Sequence, residues 1–178
     1  MCIILIISIF GCAKRASPTG GPKDTIPPVL INASPKLNTT YFNKTGFTLT
    51  FDEYVSLNEI SKLLIISPPL NPNQYKVLPA SGASKKISLE LKDSLLDNTT
   101  YTFNFGNSVV DFNESNTLPF LTYTISTGPK IDTLYIRGRV VDAFEKDTKA
   151  FISLQLYPVD SVYNDSVIYN KKPLYVTS

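Results

Sequence analysis

Asp111, Asn113, Glu114 and Asn116 crowd oxygen-bearing side chains into one short segment, the hard-donor density that calcium favours. The segment lacks the glycine and the longer acidic series of an EF-hand loop, and Asp and Asn are also ordinary turn formers. No metal site is therefore expected, and Asp111, Asn113 and Asn116 are the residues that would carry one. Asp52-Glu53 is a second carboxylate pair, and paired carboxylates can hydrolyse glycosides. Neighbours in a strand point to opposite faces, so these two cannot flank one bond. The chain has no histidine, which removes the commonest general base and metal ligand. Ser-His-Asp, Cys-His and His-containing zinc sites go with it. Neither catalysis nor a cofactor is expected.

Cys12 offers chemistry of another kind. It follows Gly11 at the end of an apolar run, residues 2–10. Such a run resembles a bacterial lipoprotein signal peptide, cut before the cysteine, whose sulfur and new amino group then take acyl chains. The run is about half of the roughly 20 residues a membrane-spanning helix needs. Lys14-Arg15 and the Pro/Gly-rich stretch beyond would strand it from any core. Two features depart from the pattern: no Lys or Arg precedes the run, and Phe10 sits where a smaller residue is usual. The first reads as a start codon placed too late; an ordinary secretory signal and no signal at all are the other readings. Of the two cysteines, Cys2 lies in the part that would be removed. The mature chain then forms no internal disulfide and depends on its core.

Residues 13–28 (AKRASPTGGPKDTIPP) read as a tether, since their prolines and glycines disfavour helix and sheet. At about 3 Å per residue in extended form, they would hold a domain clear of a membrane. The formal charge of +2 is small and the basic residues are dispersed, which argues against nucleic acid as a partner.

The elements that must position these residues follow in a period of two. Short strands are predicted at residues 29–31, 63–66 and 75–78. Longer alternations run through Phe47, Leu49 and Phe51; Ile87, Leu89 and Leu91; Tyr101, Phe103 and Phe105; and Leu121, Tyr123 and Ile125. Pro, Asn, Asp and Gly separate them, the signature of an all-β antiparallel sandwich. Residues 56–64 admit one helical turn. Leu96 and a tight turn precede Tyr101 at a strand start, the layout of a tyrosine corner, so Tyr101 is assigned an architectural role.

Five segments carry a family resemblance: residues 24–34 (DTIPPVLINAS), 47–53 (FTLTFDE), 97–105 (DNTTYTFNF), 110–116 (VDFNESN) and 123–128 (YTISTG). In this order they resemble a bacterial Ig-like domain of the SbsA type over residues 24–128. Its Pro-Pro opening, T-F-[DS]-E strand, tyrosine corner and closing F-x-T fall on Pro27-Pro28, Thr50 to Glu53, Thr99 to Tyr101 and Ile125 to Thr127. Asn98 replaces the usual corner glycine, and the 111–116 loop is longer than usual. Residues 12–24 (CAKRASPTGGPKD) look like the leader of a Bacteroidota-type lipoprotein. Sorting by analogy with such proteins implies outer-membrane delivery from Ala13. Basic Lys14-Arg15 favours the periplasmic face over the cell surface.

After Gly128-Pro129 a second domain is expected over residues 131–178. Strands are predicted at 134–142 (LYIRGRVVD) and 151–157, similar to the opening of a carboxypeptidase-regulatory-like, prealbumin-type sandwich. The segment is short for a separate sandwich and ends in strand-like sequence, so it reads as a domain cut short. Thr25, Ser94, Thr133, Ser161 and Ser166 follow Asp and precede an apolar residue, which matches the general O-glycosylation pattern of Bacteroidota. The division expected is a signal peptide (1–11), a tether (12–28), an Ig-like domain (29–128) and a partial second sandwich (131–178). The function expected is a lipid-anchored, non-catalytic envelope module that binds protein or glycan or serves as structure. Two rivals stand beside it: the accessory region of a larger glycan-acting enzyme, and a ligand-binding lipoprotein that feeds a transporter.

Overall fold

The computed structural model describes residues 21–144, 146, 152–159 and 164–177. Cys12 and Ser161 lie outside these residues, as do the 1–11 signal segment and most of the tether.

Alternating residues build one sheet from β1 (Leu30–Ser34), β2 (Gly46–Leu57), β4 (Tyr75–Leu78), β5 (Ser84–Leu91) and β7 (Val109–Asp111). Its order is β1-β2-β5-β4, with β7 also paired to β2. The facing sheet is β3 (Ile65–Ser67), β6 (Thr100–Asn104) and β8 (Thr122–Ser126), in the order β3-β6-β8. All these pairs are antiparallel. β1, β3 and β4 each end at a proline (Pro35, Pro68 and Pro79), which has no N–H to continue a ladder.

The inward halves of the alternation form the core. Phe47, Leu49, Phe51, Ile87 and Leu89 meet Tyr101, Phe103, Phe105, Tyr123 and Ile125 between the sheets. Phe47 ties the layers together: its ring centroid lies 3.9 Å from that of Tyr123, stacked, and 4.9 Å from that of Phe103, edge-on. The Tyr123 hydroxyl donates to the Pro35 carbonyl at 2.9 Å, and burial pushes its pKa up to about 12. The chain is thus an all-β Ig-like sandwich. A short helix, α1 (Ile60–Leu63), falls where a helical turn is predicted. Among the described residues no helix is long and apolar enough to cross a membrane.

β2 does two jobs along one edge. Residues 48–51 pair with β1, and Val55, Ser56 and Leu57 pair with β7. Between them the ladder to β5 is irregular from Thr50 to Val55, which frees Asp52 and Glu53 from regular pairing. β7 lies where only a loop is predicted. All its residues are buried, so it carries no alternation to read.

The region after Gly128 differs. Residues 134–142, predicted as a strand, join no sheet ladder among the described residues, and Leu134 is 97% exposed. A strand is stabilised by a ladder and by a covered face, and this segment has neither. The predicted 151–157 strand contracts to β9 (Leu154–Leu156), paired antiparallel with β10 (Tyr175–Thr177). A second single-turn helix, α2 (Val167–Asn170), lies between them. This hairpin touches the sandwich at β3, where the Val176 N–H donates to Ser67 Oγ at 3.0 Å.

Candidate functional site

The acidic loop turns on Asp111, which is 1% exposed. Its Oδ1 accepts the Asn113 N–H at 2.9 Å and its Oδ2 the Glu114 N–H at 2.8 Å, while its own N–H donates to the Asn116 carbonyl at 2.9 Å. Burial pushes the Asp111 carboxyl up. The two backbone donors and the facing Glu114 and Glu53 carboxyls outweigh that and hold it below the ordinary range. Glu53 is displaced upward, by burial first and then by Asp111, Asp52 and Asp24. Glu114 is raised chiefly by its hydrogen bond to Asp111.

These bonds make Asp111 a turn clamp. Asn116 faces elsewhere: its Nδ2 donates to the Asp24 and Ile26 carbonyls at 3.1 and 3.3 Å. Asn113 is exposed, tied to Asp111 by its main chain alone. The carboxylate of Asp111 is thus taken up by its own turn and the amide of Asn116 by residues 24–26, whereas a coordination cage would need these side chains to converge. Among the described residues, no cluster of three or more His, Cys, Asp or Glu side chains is arranged for a metal ion. Asp52 is likewise structural: its Oδ1 accepts the Val29 N–H at 2.8 Å and fastens the start of β1.

Tyr101 lies fully in the core, and its hydroxyl accepts the Leu96 N–H at 3.1 Å, the back-bond that defines a tyrosine corner. Thr127 completes the crossing: Oγ1 accepts the Thr99 N–H at 2.9 Å and contacts the Leu96 carbonyl at 2.7 Å. Asn98 adopts a left-handed backbone at φ 49°. Asparagine tolerates that region better than other non-glycine residues, which explains how it replaces the corner glycine.

A groove opens beside this corner. Residues 38–42 run along the outer edge of β8, where the Asn38, Tyr41 and Phe42 N–H groups donate to the Thr124, Gly128 and Ser126 carbonyls at 2.8–2.9 Å. The segment covers an edge that would otherwise be open to pairing. It also places residues 41–45 opposite the 91–97 loop, with the Leu91 N–H bonded to the Thr45 carbonyl at 2.8 Å. Between them lies an open groove of about 610 Å³, floored by Phe42, Leu91 and Leu95 and rimmed by polar side chains. Tyr41 stands on its wall, 68% exposed and at φ 50°. Sequence reasoning missed this site, because the residues between β1 and β2 have no periodicity. The one signal was a tyrosine inside an Asn/Thr/Lys-rich connection.

With the sandwich, the corner and the loops in place, the comparison with protein families is direct. The family described as bacterial Ig-like domain matches residues 24–127, more than half of the chain. The chain belongs to this family. Comparison with curated proteins gives no match.

On the Ig-like domain and its flanks, the modification candidates Thr25, Ser94, Thr133 and Ser166 are all exposed. Ser94 is on the groove rim. The Ser166 hydroxyl is hydrogen-bonded to Asn164 Oδ1. The outer edge of β1, with exposed Ile26, Val29 and Ile31 at or just before it, is a second surface of the domain.

Proposed function

We propose that this chain is a lipid-anchored, non-catalytic protein of the bacterial cell envelope, in which the Ig-like domain serves as a structural and binding module. The observation that carries this reading is the order of its parts: an apolar run closed by Gly11-Cys12, a Pro/Gly-rich tether, then an Ig-like sandwich. Acyl chains on Cys12 hold the membrane, since two or more give stable anchoring where one is marginal. The tether sets the reach, and the loops and edges of the sandwich meet an envelope protein or glycan. Ala13 and Lys14-Arg15 favour the periplasmic face of the outer membrane, by analogy with lipoprotein sorting. The absence of histidine from the chain and the structural employment of Asp52 and Asp111 support a passive role. O-glycans on exposed Thr25, Ser94, Thr133 and Ser166, and on Ser161, would shield the surface.

Mass spectrometry of the mature N-terminal peptide tests the anchor. A diacylated or triacylated Cys12 is expected, and Cys12→Ser should move the chain from the membrane fraction to the soluble one. An intact Met1 terminus without lipid would overturn the reading.

A further inference from the structure

We propose that the groove between residues 41–45 and the 91–97 loop is a binding site for a neutral saccharide. The proposal rests on the reading of the domain as a binding module and names the site and the class of ligand.

The first support is chemical. The side chains of Asn43, Lys44, Lys92, Asp93, Ser94 and Asp97 line the groove, and none has a hydrogen-bond or ion-pair partner among the described residues. They combine donors, acceptors and hydroxyl groups along one rim. Sugar hydroxyls both donate and accept, so such a mixed rim suits them. Lys44 and Lys92 offset Asp93 and Asp97 in charge, which gives an anionic ligand no net attraction. The polar rim disfavours an acyl chain or other wholly apolar ligand. The groove's volume, about 610 Å³, falls in the range of small-molecule sites.

The second support is Tyr41. A tyrosine in the left-handed region is strained, and such strain persists where the surroundings over-determine it. Here the N–H groups of Tyr41 and Phe42, bonded to the Gly128 and Ser126 carbonyls, impose it. The outcome is an exposed aromatic side chain lining the groove beside polar residues, on a hydrogen-bonded segment of main chain. A flat ring of this kind stacks on the C–H face of a pyranose, while the rim addresses its hydroxyls. Because these two bonds fix the main chain at Tyr41, little backbone freedom is lost on binding.

The test titrates the full chain with cellotetraose, maltotetraose and chitotetraose, and with tetragalacturonate as the acidic counterpart. Binding is read by calorimetry and by NMR shifts. At least one neutral tetrasaccharide should saturate the groove resonances, with tetragalacturonate about tenfold weaker or worse. Tyr41→Gly removes the ring and relieves the backbone, so the unfolding midpoint should hold while affinity falls by about tenfold or more. Tyr41→Phe should retain binding within about threefold, and Tyr54→Ala, on another exposed tyrosine, should leave it unchanged. No neutral tetrasaccharide bound at about 10 mM, preference for the acidic one, or full binding by Tyr41→Gly would each overturn the proposal. The anchor has its own readout. Sugar binding without acylated Cys12 sinks the lipoprotein reading alone, and acylated Cys12 without sugar binding sinks the groove alone.

Discussion

Leu49 and Leu134 both belong to segments predicted as strands, yet Leu49 is fully buried and Leu134 is 97% exposed. The first lies in β2, with β1 and β5 on its two edges and the β3-β6-β8 sheet across its face. The second lies in residues 134–142, which have no ladder and no covering layer among the described residues. Strand-like composition prepares a segment for a sheet, and a neighbouring sheet supplies the burial that rewards it. The same contrast runs through large apolar residues, glycines and tyrosines in the two regions. Matched substitutions can therefore separate a propensity from a packed element.

The widest gap is expected between Phe103 and Ile136. Phe103→Ala opens a hole beside Phe47 and should cost roughly 3–5 kcal/mol of stability by chemical denaturation. Ile136→Ala should change it by under about 0.5 kcal/mol. A large loss at Ile136 would show residues 134–142 packed in solution, and the contrast would fail.

The glycines come next. A Cβ on Gly46 would lie 2.1 Å from the Leu89 carbonyl oxygen, whereas one on Gly138 meets nothing within 4 Å. Gly46→Ala should therefore destabilise the sandwich by about 1–3 kcal/mol. Gly138→Ala should be neutral or slightly stabilising, because alanine restricts the unfolded chain. Thermal unfolding of the two variants side by side decides the point.

The tyrosines give a smaller contrast. Tyr101→Phe deletes the acceptor for the Leu96 N–H and should cost about 1 kcal/mol. Tyr135→Phe, in the exposed 134–142 segment, should cost nothing measurable.

The smallest expected effect sharpens the picture inside the sandwich, at its acidic loop. The Asp111 pKa is lowered on folding, so its contribution to stability is fully present above its unfolded pKa, about 3.9. It is lost as pH falls through the lower folded value. Glu53 and Glu114 are raised, so theirs is present below their unfolded pKa, about 4.3. It fades as pH rises through the folded values. Asp111→Asn should flatten the acid limb of the stability curve. In an NMR titration it should also bring Glu114 down toward its ordinary value. Glu53 should fall less, since burial leads among its causes. Unmoved Glu114 and Glu53 would show that the carboxyls do not share the loop.

Much of the sandwich was legible in advance because its signals are local. Phe47-Leu49-Phe51, Ile87-Leu89-Leu91 and Tyr101-Phe103 show their period within a few residues. The Leu96–Tyr101 bond spans only five positions. β7 escaped because its three residues are all buried and so present a run in place of an alternation. Asp111 read as a loop residue because burial of a carboxylate is visible only through its donors. The groove was hidden for another reason: its walls come from two connections far apart in the chain, brought together by the ladder and by the bond from Leu91 to Thr45.

The amino-acid order by itself settled the all-β character and barred imidazole chemistry, because side-chain period and composition do not depend on the fold. Which alternating segments became core, where the Asp111 carboxylate turned and what surrounds Tyr41 were decided only in three dimensions. Burial and charge pairing are properties of neighbours, and the neighbours here are supplied by distant parts of the chain.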